Sequence, residues 1–195
     1  MALVVVTGPV RSGKSAAALE LAAQRGAPVV IVAGGEAADD EMSRRIRRHQ
    51  AERPAAFRTL EARDAVSWVD DVRRGEVALV DCLGALVTRA LTALDVWGAS
   101  VPDTAEKMAE EAVDGLVRAI LDREGDTIVV ANEVGWGVVP VSASGRLFRD
   151  VNGRATRRLV DAADAAYLVV AGRCIDLRSL PSTAAWPDDP DGEDE

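Results

Sequence analysis

Unbroken apolar runs alternate along the chain with stretches whose apolar residues recur every third or fourth position. "LVVVT" (3–7) is continuous and β-branched rather than alternating, the pattern of a parallel strand buried on both faces. "PVVIVAG" (28–34), "VALVD" (77–81), "TIVVANE" (127–133) and "AAYLVVAG" (165–172) repeat it. Between them the period becomes helical. A helix over 13–24 closes at Gly26, and the charged segment "DDEMSRRIRRHQ" (39–50) ends before Pro54. Leu83, Leu86, Val87, Ala90, Leu91 and Leu94 make one apolar stripe. After a break at 98–102, Asp103 and Glu106 suit a capping box for a helix whose face is Met108, Ala112, Val113, Leu116 and Ile120. A last helix falls near 150–163. Strands alternating with helices predict an α/β fold, a mostly parallel sheet covered on both faces.

At 195 residues the chain suits one domain better than two. The predicted division is a domain over 1–175 and a C-terminal tail over 176–195, whose last dozen residues have the composition of a disordered segment. The net charge of −9 argues against a general nucleic-acid binder, and six of the acidic residues lie in 188–195. Cys82 and Cys174 stand in apolar surroundings without metal-type spacing, so buried free thiols and a reducing, cytoplasmic setting are expected. No run approaches the length of a membrane span, and no signal peptide precedes the first strand.

The first strand runs into "GPVRSGKS". Gly8, Gly13, Lys14 and Ser15 fit G-x-x-x-x-G-K-[ST] with a strand before and a helix after, the context a phosphate-binding loop requires. Glycines let backbone N–H groups turn toward phosphate oxygens, the helix start adds positive potential, Lys14 neutralises β/γ charge, and Ser15 suits Mg²⁺. Asp81, ending a hydrophobic strand, reads either as a second Mg²⁺ ligand or as an N-cap. Glu133, also at a strand end, reads as a ligand-facing carboxylate or another cap.

His49 is the only histidine. It stands among Arg44, Arg45, Arg47, Arg48 and Arg53, on one helical face with Met42 and Ile46. One account is a surface histidine in a basic helix. In the other, the arginines gather nucleotide phosphates and hold the imidazole neutral, ready to attack an α-phosphate and form a phosphoramidate. Residue types alone leave both open.

"TGPVRSGKS", "DDEM", "RI..H...RP", "RTLE", "VDCL…VT", "NEVGWGVVP" and "FRD..G" occur in an order that resembles the bifunctional adenosylcobinamide kinase/adenosylcobinamide-phosphate guanylyltransferases of cobalamin biosynthesis, over about residues 3–172. The resemblance implies a RecA-like P-loop NTPase fold, usually assembled as a trimer. It implies phosphorylation of the aminopropanol hydroxyl of adenosylcobinamide with ATP or GTP. Transfer of GMP from GTP to that phosphate follows, giving adenosylcobinamide-GDP. By the same resemblance His49 is the guanylylated residue and Lys14 assists it. Nucleotide contacts fall on Gly8, Pro9, Val10, Arg11, Ser12, Gly13, Lys14 and Ser15, on Ala33, Gly34 and Gly35, on Gln50, Ala51, Glu52 and Arg53, and on Glu61 and Asp81. Ser15 and Asp81 are the Mg²⁺ positions. The chain departs from the family at Pro9, Arg48, Val141, Thr156 and Arg157. Rival functions are a single-activity P-loop kinase for another small alcohol and a nucleotide-dependent switch protein.

Overall fold

The computed structural model describes residues 1–35, 40, 44, 47, 50, 51, 53–97 and 101–183. The five predicted strands are present as β1 (Leu3–Gly8), β2 (Val29–Ala33), β4 (Val77–Asp81), β5 (Thr127–Asn132) and β6 (Ala165–Val170). Two more complete a seven-stranded sheet: β3 (Arg58–Glu61) and β7 (Arg173–Asp176). The order is β3-β2-β4-β5-β1-β6-β7; β7 pairs antiparallel with β6, and every other pairing is parallel. Both added strands sit at sheet edges and are largely exposed, so neither carries an apolar run; pairing with a neighbour makes them strands.

The helices bounded among the described residues are α1 (Lys14–Gln24), α2 (Trp68–Asp71), α3 (Leu83–Ala93), α4 (Asp103–Asp122) and α5 (Ala143–Ala162). The strands' period of two divides the core. Val6, Val29, Ile31, Val77, Leu79, Ile128 and Val130 point to one face and meet Ala18 and Ala22 of α1. Val5, Val30, Val32, Ala78, Val80, Val129 and Ala131 point to the other, under α2, α3, α4 and α5. Trp68, fully buried, fills that layer beneath α2 and donates its indole N–H to the Ala65 carbonyl at 3.0 Å. Positions 40, 44, 47 and 50 of the charged segment, and 51 just after it, are helical and exposed. The tail over 184–195 lies outside the described residues, whereas Leu177 still donates to the Ala166 carbonyl and packs on the core.

Four expectations are corrected. Asp103 does not cap α4: it is already helical, Pro102 occupies the cap position, and no side chain bonds there. The buried stripe of α4 is Ala109, Val113, Leu116, Val117 and Ile120, at spacings of three, four and seven that share one helical face, and Met108 is left exposed. Helix α5 begins well before 150, since Ser142 caps it by accepting the Gly145 N–H at 3.1 Å. Both cysteines are free thiols, but Cys174 is exposed because it stands on the edge strand β7, and Cys82 is half-buried.

Candidate functional site

The parallel arrangement puts the carboxyl ends of β3, β2, β4, β5 and β1 along one edge in that order. Glu61, then Ala33 with Gly34 and Gly35, then Asp81, then Asn132 with Glu133, then Gly8 therefore succeed one another across the sheet. Carboxyl ends of parallel strands are where open α/β sheets bind ligands.

The loop from Gly8 to Ser15 is built for close approach. A Cβ on Gly8, whose φ is +155°, would stand 2.3 Å from the Val169 carbonyl oxygen. Gly13, at φ +96°, caps α1 in a conformation that side chains rarely adopt. Pro9, Val10, Arg11 and Ser12 form the bend between them, with the Ser12 N–H donating to the Pro9 carbonyl at 3.3 Å. Neighbouring strands brace the loop from two sides. The Glu133 N–H donates to Gly8 at 2.9 Å, and the Gly172 N–H, from the β6–β7 turn, donates to Ser12 at 2.8 Å. Lys14 is buried, its ammonium folded back onto the Pro9 carbonyl at 3.1 Å, inside the loop it would serve. The Ser12 hydroxyl is buried with no partner among the described residues.

Asp81 is not an N-cap. That position of α3 belongs to Cys82, and Asp81 instead accepts the Ser15 hydroxyl at 3.4 Å. Strand β5 lies between β4, which ends in Asp81, and β1, which leads into the loop, so the carboxylate reaches across a strand to the serine at the start of α1. Glu133 caps no helix either; its Oε1 accepts the Gly135 N–H at 2.6 Å. Burial, reinforced by the charge of Asp81, pushes the Cys82 thiol up and keeps it protonated beside this carboxylate. Its sulfur accepts from Asn132 at 3.2 Å.

Farther along the edge, Arg53 donates to the Thr59 hydroxyl at 3.0 Å, placing it against β3 near Glu61. Gln50 and Ala51 are exposed helical positions on the approach to Arg53. His49 and Glu52 lie outside the described residues. Two residues that the sequence reading did not single out shape the edge. Arg89 on α3 donates to the Gly34 carbonyl at 2.7 Å and to the Arg63 carbonyl at 3.2 Å, tying the segment after β2 to the one after β3. Arg149 on α5 donates to the Gly135 carbonyl at 2.8 Å and holds the loop after β5. Arg149 stands within the "FRD..G" stretch, the one sequence signal that marked it; Arg89 had none. Among the described residues no group of three or more His, Cys, Asp or Glu could hold a metal ion. No described helix is long and apolar enough to cross a membrane.

Comparison with known proteins follows the same line. Residues 4–177 match the family model described as cobinamide kinase / cobinamide phosphate guanyltransferase. The bifunctional adenosylcobalamin biosynthesis protein CobU of Escherichia coli (strain K12) is 34% identical over 177 residues, covering 87% of this chain and 96% of that protein. The protein of the same name from Salmonella typhimurium is 35% identical over 178 residues, covering 87% and 96%. The bifunctional adenosylcobalamin biosynthesis protein CobP of Pseudomonas aeruginosa is 33% identical over 179 residues, covering 91% and 98%. Among solved structures, a prototypical ATPase from the type III secretion system of pathogenic bacteria aligns with a TM-score of 0.51 and 12% identity. It covers 86% of this chain and 50% of its own length, a likeness of P-loop fold alone.

Proposed function

The chain belongs to the cobinamide kinase / cobinamide phosphate guanyltransferase family, and from that premise we propose that both transfers run on the one sheet edge described above. The observation that carries this is the gathering of the braced phosphate loop, the Ser15–Asp81 pair and Glu133 at adjoining strand ends.

In the first transfer the aminopropanol hydroxyl of adenosylcobinamide attacks the γ-phosphorus of ATP or GTP. The bond to the β-phosphate oxygen breaks, a nucleoside diphosphate leaves, and Glu133 takes the hydroxyl proton. The loop N–H groups and Lys14 stabilise charge on the phosphates. In the second, a ring nitrogen of His49 attacks the α-phosphorus of GTP and pyrophosphate leaves. The phosphate of adenosylcobinamide phosphate then attacks that phosphorus, the P–N bond breaks, and adenosylcobinamide-GDP forms as His49 is freed. Glu52 and the helical residues around His49 take the guanine nucleotide in this reading, with Ala33, Gly34, Gly35 and Glu61.

Ser15 and Asp81 fit Mg²⁺: a hydroxyl and a carboxylate are hard oxygen donors, and they already face each other. When bound, the ion would neutralise part of the nucleotide phosphate charge. A homo-oligomer, a trimer by the family resemblance, belongs to the reading. The exposed Trp136, Val138, Val139 and Val141 are the kind of apolar surface that assembly covers. A cytoplasmic enzyme without nucleic-acid partners accords with the free thiols and the net acidity.

Parallel incubations with α-labelled and γ-labelled GTP test this. The protein is expected to acquire acid-labile α-label alone, and to pass γ-label to adenosylcobinamide. A single-activity kinase would acquire no covalent α-label, and a switch protein would transfer neither. If a His49→Ala variant still carried the α-label, the nucleophile assignment would fall.

A further inference from the structure

The loop after β5 and the middle of α5 flank an open cavity of about 510 Å³. Its lining includes Asn132, Glu133, Arg149, Asp150, Asn152 and Gly153. The cavity adjoins the phosphate loop, because the Glu133 N–H donates to Gly8 and Asn132 pairs in register with it. Of its lining, the transfers derived so far use only Glu133.

Two of its side chains are incompletely satisfied. Arg149 spends Nη2 on the Gly135 carbonyl, while Nη1 is buried without a partner. No carboxylate among the described residues pairs with this guanidinium, whereas the other arginines of the lining, Arg154 and Arg157, are paired with Glu110 and Asp161. Asn152, 1% exposed, donates to the Asn132 carbonyl at 3.1 Å and leaves Oδ1 buried and unbonded. Buried polar groups are rarely left unmatched unless a ligand or water completes them. A guanidinium that no carboxylate neutralises suits a phosphate, and Asn152 holds the end of β5 beside it.

We propose that this cavity receives the acceptor, with Arg149 binding the phosphate monoester that the first transfer creates. The inference rests on the function proposed above. It explains how one loop serves two acceptors. The hydroxyl enters beside Glu133, and once phosphorylated its oxygens meet Arg149 within the same space. The corrinoid macrocycle is far larger than 510 Å³ and stays outside, so only the aminopropanol arm enters.

Guanylyl transfer to purified adenosylcobinamide phosphate tests the proposal in wild-type protein and in Arg149→Gln, Arg149→Lys and Gly153→Trp. Arg149→Gln is expected to raise the KM for adenosylcobinamide phosphate about 10- to 100-fold, with Arg149→Lys falling between it and wild type. Gly153 lines the cavity and has nothing within 4 Å of an added Cβ, so Gly153→Trp places bulk at the cavity and is expected to raise the same KM. The covalent label each variant acquires from α-labelled GTP alone reports the nucleotide side of the enzyme. Normal labelling with an unchanged KM in both Arg149→Gln and Gly153→Trp overturns the acceptor site. Should Arg149→Gln fail to label through misfolding, Gly153→Trp decides the matter. Absence of label on the wild-type protein would instead overturn the function on which the inference rests.

Discussion

Replacing Gly8 by alanine places a methyl group 2.3 Å from the Val169 carbonyl oxygen and 2.9 Å from the Ser12 hydroxyl. Real Cβ atoms essentially never come closer than 3.0 Å, and the first of these neighbours is backbone in β6. Relief therefore requires β6 to move away from β1, where Thr7 and Leu168 are registered partners, or the loop to lift from its bed. Crowding of this kind costs about 1–3 kcal/mol, and the backbone angle at position 8 adds roughly 1–3 kcal/mol. For a protein of this size each kcal/mol lowers Tm by about 2–4 °C, so the variant is expected to melt about 4–24 °C below wild type. Loop N–H groups would be re-aimed as well, with GTP affinity falling at least about tenfold. The matched control is Gly153→Ala, in a helix interior with open space around the new methyl. That change is expected to raise stability by up to about 1 kcal/mol. Thermal unfolding of both variants, with and without Mg²⁺-GTP, makes the comparison. A Gly8→Ala protein that melts within about 2 °C of wild type and binds GTP as tightly would refute the close-approach reasoning.

Asp81→Asn is expected to cut kcat for both transfers by about a hundredfold or more while metal-free nucleotide binding changes little; a Mg²⁺ titration of activity checks it, and an unchanged rate counts against the metal position. Arg89→Ala releases the carbonyls of Gly34 and Arg63 and is expected to raise the KM for GTP more than it lowers kcat, which steady-state kinetics read directly. Asp126 supplies a pH signature. Desolvation pushes its carboxyl up, but the Arg25 side chain, the Ala2 N–H and the N-terminal charge outweigh this and hold it below the ordinary aspartate value. A lowered folded pKa stabilises above the unfolded value, about pH 4, and that contribution fades as pH falls through the folded value. The Tm deficit of Asp126→Asn should thus be full at pH 7 and shrink in acid; a deficit that grows in acid contradicts the sign.

The legible parts of this protein were those where chemistry is local in sequence. The spacing of Gly8, Gly13 and Lys14 between a strand and a helix announces a phosphate loop, and the five buried runs announce their strands, because each signal lies within a dozen residues. The edge strands were invisible for a physical reason: "RTLE" and "RCID" bury little, and only a neighbour's unpaired backbone makes them strands. The start of α5 was hidden by Gly145, which weakens a helix in isolation but is required here, since a Cβ would stand 2.8 Å from the capping Ser142 hydroxyl. Asp81 could be read as cap or ligand until the structure set it against Ser15. Arg149 and Asn152 reach the carbonyls of Gly135 and Asn132 only because α5 packs back beside the end of β5, a relation that no spacing encodes.

The phosphate loop precedes in the chain every segment that finishes it. Its strand lies between β5 and β6, whose registered partners stand 124 and 161 residues later, as in Leu3 with Thr127 and Val4 with Ala165. The two N–H groups that brace it come from Glu133 and Gly172. Contacts of such sequence separation form late, after the loop-closure entropy has been met. A nascent chain therefore carries the full "GPVRSGKS" sequence long before it can grip a nucleotide, and a chain ending ahead of β6 is expected to bind none in equilibrium dialysis.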